Sequence, residues 1–390
     1  MRITHVIDYF HTDVGYQEFF LARDQALAGH IVTVVASDHR QHTVAEVGPD
    51  EQLGLDQLTS AGVTLVRLPG RQLGHDRAWI RGLGAAVAAT RPDAAHVHGP
   101  FSPTTARAVR ASTKVGAGVL VDNHIHEAIA PGSTTTANRM IYGAYGATVG
   151  RYLRAHVGAW VANGPHEADF LAERLHLPPA RIERIPLGFD PEAFRWNPHD
   201  RRRSRAALGS TADEVVVAVT GKVHPRKRPE ATAAACEALA AARSVPVRLV
   251  LAGVIDPASR AAVAVAAPSL EAAGRITELG LLGRSDLADL YLAADAVVFA
   301  RLPSISIYEA AGTGARVLVG RDLFAEWLVS MCPSVEPVET DPLRLDHLDP
   351  TDDAGRARRA AAARDAFAWP TISQQFVRRY TDLVEEARTR

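Results

Sequence analysis

Apolar and polar positions along the chain fall into a repeating order. A mostly apolar run from Ile3 to Ile7 leads into a polar loop, "DYFHTDVG", and "YQEFFLARDQALAGH" then spaces apolar residues as a helix does, before the β-branched run "IVTVVAS". That succession predicts a βαβ unit. Gly29 fits the end of the helix. The same grammar continues through "GVTLVRLP", a helix around Trp79 to Thr90, "DAAHVHG" and "GAGVLVDNH". Near Glu214 it starts again: "EVVVAVTG" reads as a strand, "HPRKRPEATAAACEALAAA" as a loop and helix, and "VRLVLAG" as a strand. Two doubly wound α/β domains are the architecture this repetition predicts.

Between the halves, "RIERIPLGFDPEAFRWNPHD" (Arg181 to Asp200) gathers Pro and Gly and loses periodicity, which reads as a linker. The boundary falls near Gly188, giving a first domain over 1–188 and a second over 189–369. A terminal helix over 370–390 opens at Pro370 and lines up Ile372, Phe376, Tyr380 and Leu383, a face suited to packing back on the first domain.

Composition narrows the classes. At 390 residues with a formal net charge of -1, the chain suits a globular protein of about two domains and offers no bulk attraction to nucleic acid or anionic lipid. Its two cysteines, Cys236 and Cys332, form neither a disulfide framework nor a metal-type spacing. No apolar run approaches the ~20 residues of a membrane span, and the opening "MRITHVIDYF" lacks a secretory leader's apolar core. A cytoplasmic protein is the expectation.

In open α/β sheets, ligands gather at the carboxyl ends of strands, so polar residues just after strands are the first candidates. Gly15, before the first helix, could bring backbone N–H groups close to an anion, or simply serve the turn. His96, His98, Asp122, His124 and His126 cluster in "AHVHG" and "VDNHIHE", where period-two spacing puts alternate imidazoles on one face. A substrate role, ordinary packing and metal ligation are the three readings, the last lacking a clear third ligand. In "TGKVHPRKRPE", Lys222, Arg226, Lys227 and Arg228 crowd a strand-helix turn, a cradle for a diphosphate or else a solvated basic turn. In "RLPSISIYEAAGTGARVLVG", Ser306 and Glu309 have the S-x-x-E spacing of a capping box, while the carboxylate could equally accept from two neighbouring hydroxyls of a ribose.

Taken together, these motifs resemble family 4 of the retaining GT-B glycosyltransferases over nearly the whole chain. "VVVAVTGKVHPRKRPE" is similar to the family's V-G-R-x-x-x-x-K signature, with Lys222 in the Arg slot and Lys227 in the Lys slot. "LGLLGRSDLADLYLAADAVVFARLPSISIYEAAGTGARVLVG" resembles its F-x-G…L-x-x-x-Y-x-x-A-D block and E-x7-E region, "IPLGFDPEAF" its hinge, and "FAWPTISQQFVRRY" its C-terminal Trp-containing helix. The resemblance implies a GT-B fold with two Rossmann-like domains facing across a cleft. It implies donor diphosphate on Lys222 and Lys227, nucleotide ribose on Glu309, and His124 near the reaction centre with His126 as fallback. Arg301 stands where the first glutamate of E-x7-E would be, so Arg301, Ser304 and Ser306 would have to hold the donor sugar. Only Gly15 remains of the usual glycine pair.

The implied reaction moves a sugar from a nucleotide diphosphate donor, UDP-sugar favoured, to an acceptor hydroxyl with retention, by front-face attack and without metal or other cofactor. The acceptor, a small molecule, natural product or cell-envelope glycan, would lie against Tyr16, Gln17, His98 and His126. The segment from Asn138 to Arg154, with Arg139, Arg151 and Arg154, is compatible with touching a membrane surface, although its charge density suits a soluble acceptor as well. Ala- and Arg-rich usage resembles that of a high-GC bacterium. The rivals are a catalytically silent GT-B binding protein, encouraged by Arg301, and a GT-B epimerase. A nicotinamide oxidoreductase is disfavoured because no G-x-G-x-x-G follows a strand.

Overall fold

The computed structural model describes residues 1–13, 15–41, 51–73, 77–127, 135–301, 304–348 and 352–389. The chain divides into two compact units, Met1–Leu187 with Trp369–Arg390, and Gly188–Ala368.

The first unit holds strands β1 (Arg2–Val6), β2 (Ile31–Ser37), β3 (Thr64–Leu68), β4 (Gly70–Leu73), β5 (Arg77–Ile80), β6 (Ala94–His98), β7 (Gly118–Asn123), β8 (Ala159–Ala162) and β9 (Ile182–Arg184). Seven of them form a parallel sheet in the order β3-β2-β1-β6-β7-β8-β9, and β4 and β5 make a separate antiparallel pair. The order reverses direction between β1 and β6, so the loops after these strands diverge and leave a crevice at their carboxyl ends. Helices cover both faces, which is why β6 and β7 are buried along their whole length.

Two expectations are corrected here. Trp79 lies on β5 rather than on a helix; the helix runs Leu83–Thr90, entered through Gly82 at φ 71. A bend in the left-handed region interrupts what looked like one periodic run. Ile182–Arg184, placed in the linker, adds β9 to the sheet edge beside β8.

The helix Trp369–Thr389 belongs to the first unit. Trp369 stacks on Phe20 with ring centroids 5.3 Å apart, and Ile372, Phe376 and Tyr380 are fully buried. At Gly118 an added Cβ would come within 2.8 Å of Leu383 Cβ, so the start of β7 is shaped to let this helix lie close.

The second unit holds β10 (Val215–Thr220), β11 (Val247–Ala252), β12 (Ile276–Leu279), β13 (Ala296–Phe299), β14 (Arg316–Gly320) and β15 (Val335–Val338), all parallel, in the order β12-β11-β10-β13-β14-β15. β10, "VVVAVT", is buried on both faces, the reason for its unbroken apolar run. The switch point lies between β10 and β13, at Lys222 to Arg228 and at Arg301 and Ser304 to Glu309. Among the described residues, no helix is long and apolar enough to cross a membrane.

Candidate active site

At the first unit's switch point, β1, β6 and β7 direct His5, His96, His98 and Asp122 into one buried cluster. Asp122 Oδ2 is its centre. Gln17 Nε2 donates to it at 2.9 Å, His98 Nδ1 lies 2.9 Å away and His124 Nε2 2.9 Å away, while His96 Nε2 stands at 3.0 Å as an ion-pair contact without hydrogen-bond alignment. Burial alone would raise the Asp122 carboxyl, but the charges of His98, His124 and His96 override it and hold the group well below the usual carboxylate range. His124 is pushed the other way: burial opposes its charge, and Asp122, Glu18 and Glu167 outweigh burial, raising it to about 8.

His124 also lines a cavity of about 320 Å³ with Asp8, His11, Tyr16, Glu18, Arg77 and His98. Burial raises the carboxyls of Asp8 and Glu18, and lowers His11 to about 4 with help from Arg40. Asp8 Oδ1 and both ring nitrogens of His11 are buried without hydrogen-bond partners among the described residues. Buried polar atoms in want of partners, on the wall of a cavity, suit a hydroxyl-rich ligand.

Of the acceptor-side candidates, the cavity takes in Tyr16, His98 and His124. Gln17 instead orients Asp122, and His126, buried with Nε2 3.8 Å from Glu167 Oε1, is not among its lining residues. Gly15 adopts φ 66, the conformation that favours glycine at this turn. The sequence reading passed over Asp8, His11 and Glu18, although the polar loop after β1 was the signal that could have found them.

In the second unit, Lys222 is exposed and Lys227 is half-buried. Lys227 Nζ donates to the Thr220 carbonyl at 3.0 Å, and its ammonium is lowered by burial. Gly221, at φ 89, makes room for it: a Cβ there would meet that Nζ at 3.0 Å. His224 is lowered first by burial, then by Lys227 and Arg226, which marks the concentration of positive charge on this turn.

The loop after β13 faces the same switch point. Its helix runs Ser306–Gly312 with Ile305 as N-cap and no capping side chain, so Ser306 is already inside the helix. The capping-box reading of Ser306 and Glu309 is therefore corrected: the spacing is right, but the register is shifted by one residue. Instead Ser304 Oγ accepts from the Ser306 N–H at 3.3 Å. Glu309 is half-buried, and burial raises its carboxyl to about 7 against the opposing effects of Arg284 and Ser306. Arg301 is exposed; Pro303 of the "PSIS" turn lies outside the described residues.

As for metals, His5, His96 and His98, and likewise His98, Asp122 and His124, bring three ligand-type atoms within 4.8 Å of one another. In both groups, neighbouring side chains of the network engage these atoms.

Comparison with known proteins fits this geometry. Residues 19–193 match Glycosyltransferase Family 4. A D-inositol 3-phosphate glycosyltransferase of Mycobacterium avium is 38% identical over 150 residues, 37% of this chain and 33% of that protein. The match thus spans about a third of the length of this curated relative. Among solved structures, a glycosyltransferase of Rickettsia africae aligns over 98% of both chains with a TM-score of 0.67 and 13% identity. Anabaena HepE, in complex with UDP and glucose, aligns over 98% of this chain and 99% of its own with a TM-score of 0.60 and 17% identity. At these identities the two structures speak for the fold, which is GT-B.

Proposed function

Proceeding from the match of residues 19–193 to Glycosyltransferase Family 4 and from the GT-B fold, we propose that the chain transfers a sugar, with retention, from a nucleotide diphosphate donor to a hydroxyl of a small-molecule, natural-product or glycan acceptor. The observation that carries this reading is the pairing, at one switch point of the second unit, of a cationic turn with the half-buried carboxyl of Glu309. Lys222 and Lys227 suit the two charges of a diphosphate, and Glu309 suits a pair of ribose hydroxyls. The UDP complex of the Anabaena neighbour makes a uridine nucleotide the first donor to test.

In this mechanism the leaving phosphate oxygen takes the acceptor proton as the new glycosidic bond forms on the same face. Lys222 and Lys227 stabilise the charge left on the diphosphate. The acceptor occupies the cavity of the first unit, where Asp8 and His11 bind its other hydroxyls and His124 donates beside the reacting one. Arg301, Ser304 and Ser306 hold the donor sugar. No metal step is needed, because fixed cations do the neutralising. The test is a screen of nucleotide sugars against hydroxyl acceptors in EDTA, with the product's anomeric configuration read by NMR. Transfer with retention supports the proposal; an inverted product, or turnover that requires a divalent ion, contradicts the corresponding part of it. Arg301 in the slot of an acid favours a silent or epimerising protein as the second reading, and nucleotide-sugar binding without transfer would select it.

Glu309→Gln separates binding from stability. A carboxyl raised from 4.5 to about 7 contributes stability that is complete below pH 4.5 and is lost as pH rises through 7. At pH 8 the glutamine variant should therefore be more stable in urea unfolding than the parent, by about 1–3 kcal/mol, while binding nucleotide more weakly. A lower midpoint with unchanged affinity would remove Glu309 from the site.

A further inference from the structure

The loop after β11 supports the cationic turn from behind. Pairing between β10 and β11 runs on past Thr220 and Ala252: the Gly221 N–H donates to the Ala252 carbonyl at 2.9 Å, and the Val223 N–H to the Val254 carbonyl at 2.8 Å. The Asp256 N–H donates back to the Val223 carbonyl at 2.9 Å, and Val223 bridges to Ile255. On its other side the loop is fastened to β12, where the Gly253 N–H reaches the carbonyls of Leu279 and Gly280, each at 3.0 Å. Asp256 then caps the helix Pro257–Ala266, accepting from the Ser259 N–H at 2.9 Å. The loop is thus held at both ends while it leans on the turn that carries Lys222 and Lys227.

Gly253 is the point of closest approach. It has φ 119, and a Cβ there would collide with the Gly221 carbonyl oxygen and come within 2.8 Å of the carbonyl carbon. Gly221 in turn covers Lys227: a Cβ on Gly221 would press on Nζ at 3.0 Å, while that Nζ donates to the Thr220 carbonyl at 3.0 Å. Gly253, the Gly221 peptide and the Lys227 ammonium are therefore stacked without slack. Where the β11 loop puts the Gly221 peptide, the ammonium follows.

We propose that Gly253 is a positioning residue for Lys227: the bare backbone of the β11 loop sets the depth of the Gly221 peptide, and with it the place at which the ammonium meets a diphosphate. A fixed cation stabilises developing charge best when it does not have to reorganise as the bond breaks, and this stack removes its freedom to do so. A compact ammonium resting on one carbonyl suits the space better than a planar guanidinium fork. The chain otherwise relies on arginine, and two of its three lysines, Lys114, Lys222 and Lys227, stand on this turn. The other titratable or charged groups gathered there are Lys222, His224 and Arg226 on the turn itself and Asp256 on the β11 loop. The inference rests on the transferase reading in giving Lys227 a diphosphate to meet.

The first arm of the test needs no ligand, so its failure is distinct from failure of that reading. Lysine labelled with 13C at Cε is followed through a pH titration by NMR, with the three signals assigned from single Lys→Arg variants. In the parent, burial holds the Lys227 midpoint below the ordinary lysine value. Gly253→Ala should raise that midpoint toward the ordinary value, as the Gly221 peptide is displaced and Nζ leaves the Thr220 carbonyl. Gly221→Ala presses on Nζ from the nearer side and should raise it too, which covers the case in which Gly253→Ala does not fold. Gly274→Ala is the control: φ there is 66 and nothing lies within 4 Å of the added Cβ, so it brings backbone strain to the second unit without a collision and should leave the midpoint in place. The second arm is a calorimetric double-mutant cycle with UDP. Gly253→Ala should weaken binding about tenfold in the parent and add little in the Lys227→Ala background, because its effect runs through that ammonium. If UDP does not bind, the donor assignment falls and the first arm still decides this proposal. A Lys227 midpoint unmoved in both Gly253→Ala and Gly221→Ala, an equal shift in Gly274→Ala, or a Gly253→Ala penalty undiminished without Lys227 would each overturn it.

Discussion

Replacing Lys227 by Ala is expected to lower turnover by about 10²- to 10³-fold, the usual effect of removing one fixed group that stabilises charge in a transition state. Lys227 ends a single 3-10 turn, Pro225–Lys227, between β10 and the helix Pro229–Arg243. Its Nζ rests on the Thr220 carbonyl, a neutral acceptor and not a carboxylate partner. The ammonium is thus held at the carboxyl end of the strand, with its charge uncancelled by an acid at that contact. Burial lowers its pKa, yet the charge is what a departing diphosphate requires. Lost side-chain packing should cost the second unit little, so the melting curve should stay close to the parent's. Single-turnover kinetics with a competent donor would measure the effect, and unchanged turnover would remove Lys227 from the diphosphate site.

The second large effect is on stability. Asp122→Asn takes the charge from an oxygen that faces four nitrogens and places an N–H among donors, so the first unit should lose about 3–5 kcal/mol, as when one partner of a buried ion pair is removed. Urea unfolding, followed by hydrogen exchange of the amides in β6 and β7, reads that unit alone. The pH dependence has a definite sign. His96, lowered to about 4, contributes stability that is present above pH 6.5 and is lost as pH falls toward 4. His124, raised to about 8, contributes stability that is complete below pH 6.5 and is lost as pH rises through 8. The parent should therefore lose stability in both directions away from the neutral range. In the Asn variant His124 returns toward its ordinary value, and the loss near pH 8 should vanish. A variant as stable as the parent, with the same alkaline limb, would refute the role given to Asp122.

The parts of this molecule legible in the sequence are those whose causes are local. β10 announces itself because a strand buried on both faces must be apolar throughout, and the cationic turn because four cations crowd one strand-helix junction. His96, His98 and His124 stood out through their spacing. His5 did not: in "RITHV" it stands alone among the histidines, with no second one at period-two spacing to mark it. Gln25 and Tyr380 belong to helices whose sequence separation of 355 residues hides their contact. This buried network is a property of the folded sheet and of a terminal helix that returns to it, and no window of sequence contains it. The misread helix at Trp79 and the capping-box alternative at Ser306, which does not form, have a common origin. Periodicity tolerates a shift or an interruption of one residue, whereas Gly82 in the left-handed region and Ile305 at the N-cap are decided by backbone geometry.

The most direct test of the central claim is calorimetric titration of the protein with UDP, GDP, TDP and ADP, each in the presence of EDTA. The account predicts that one of them, UDP first, binds at micromolar affinity and that Lys227→Ala and Glu309→Gln weaken it. Failure of all four to bind would contradict the assignment of a nucleotide diphosphate to the second unit.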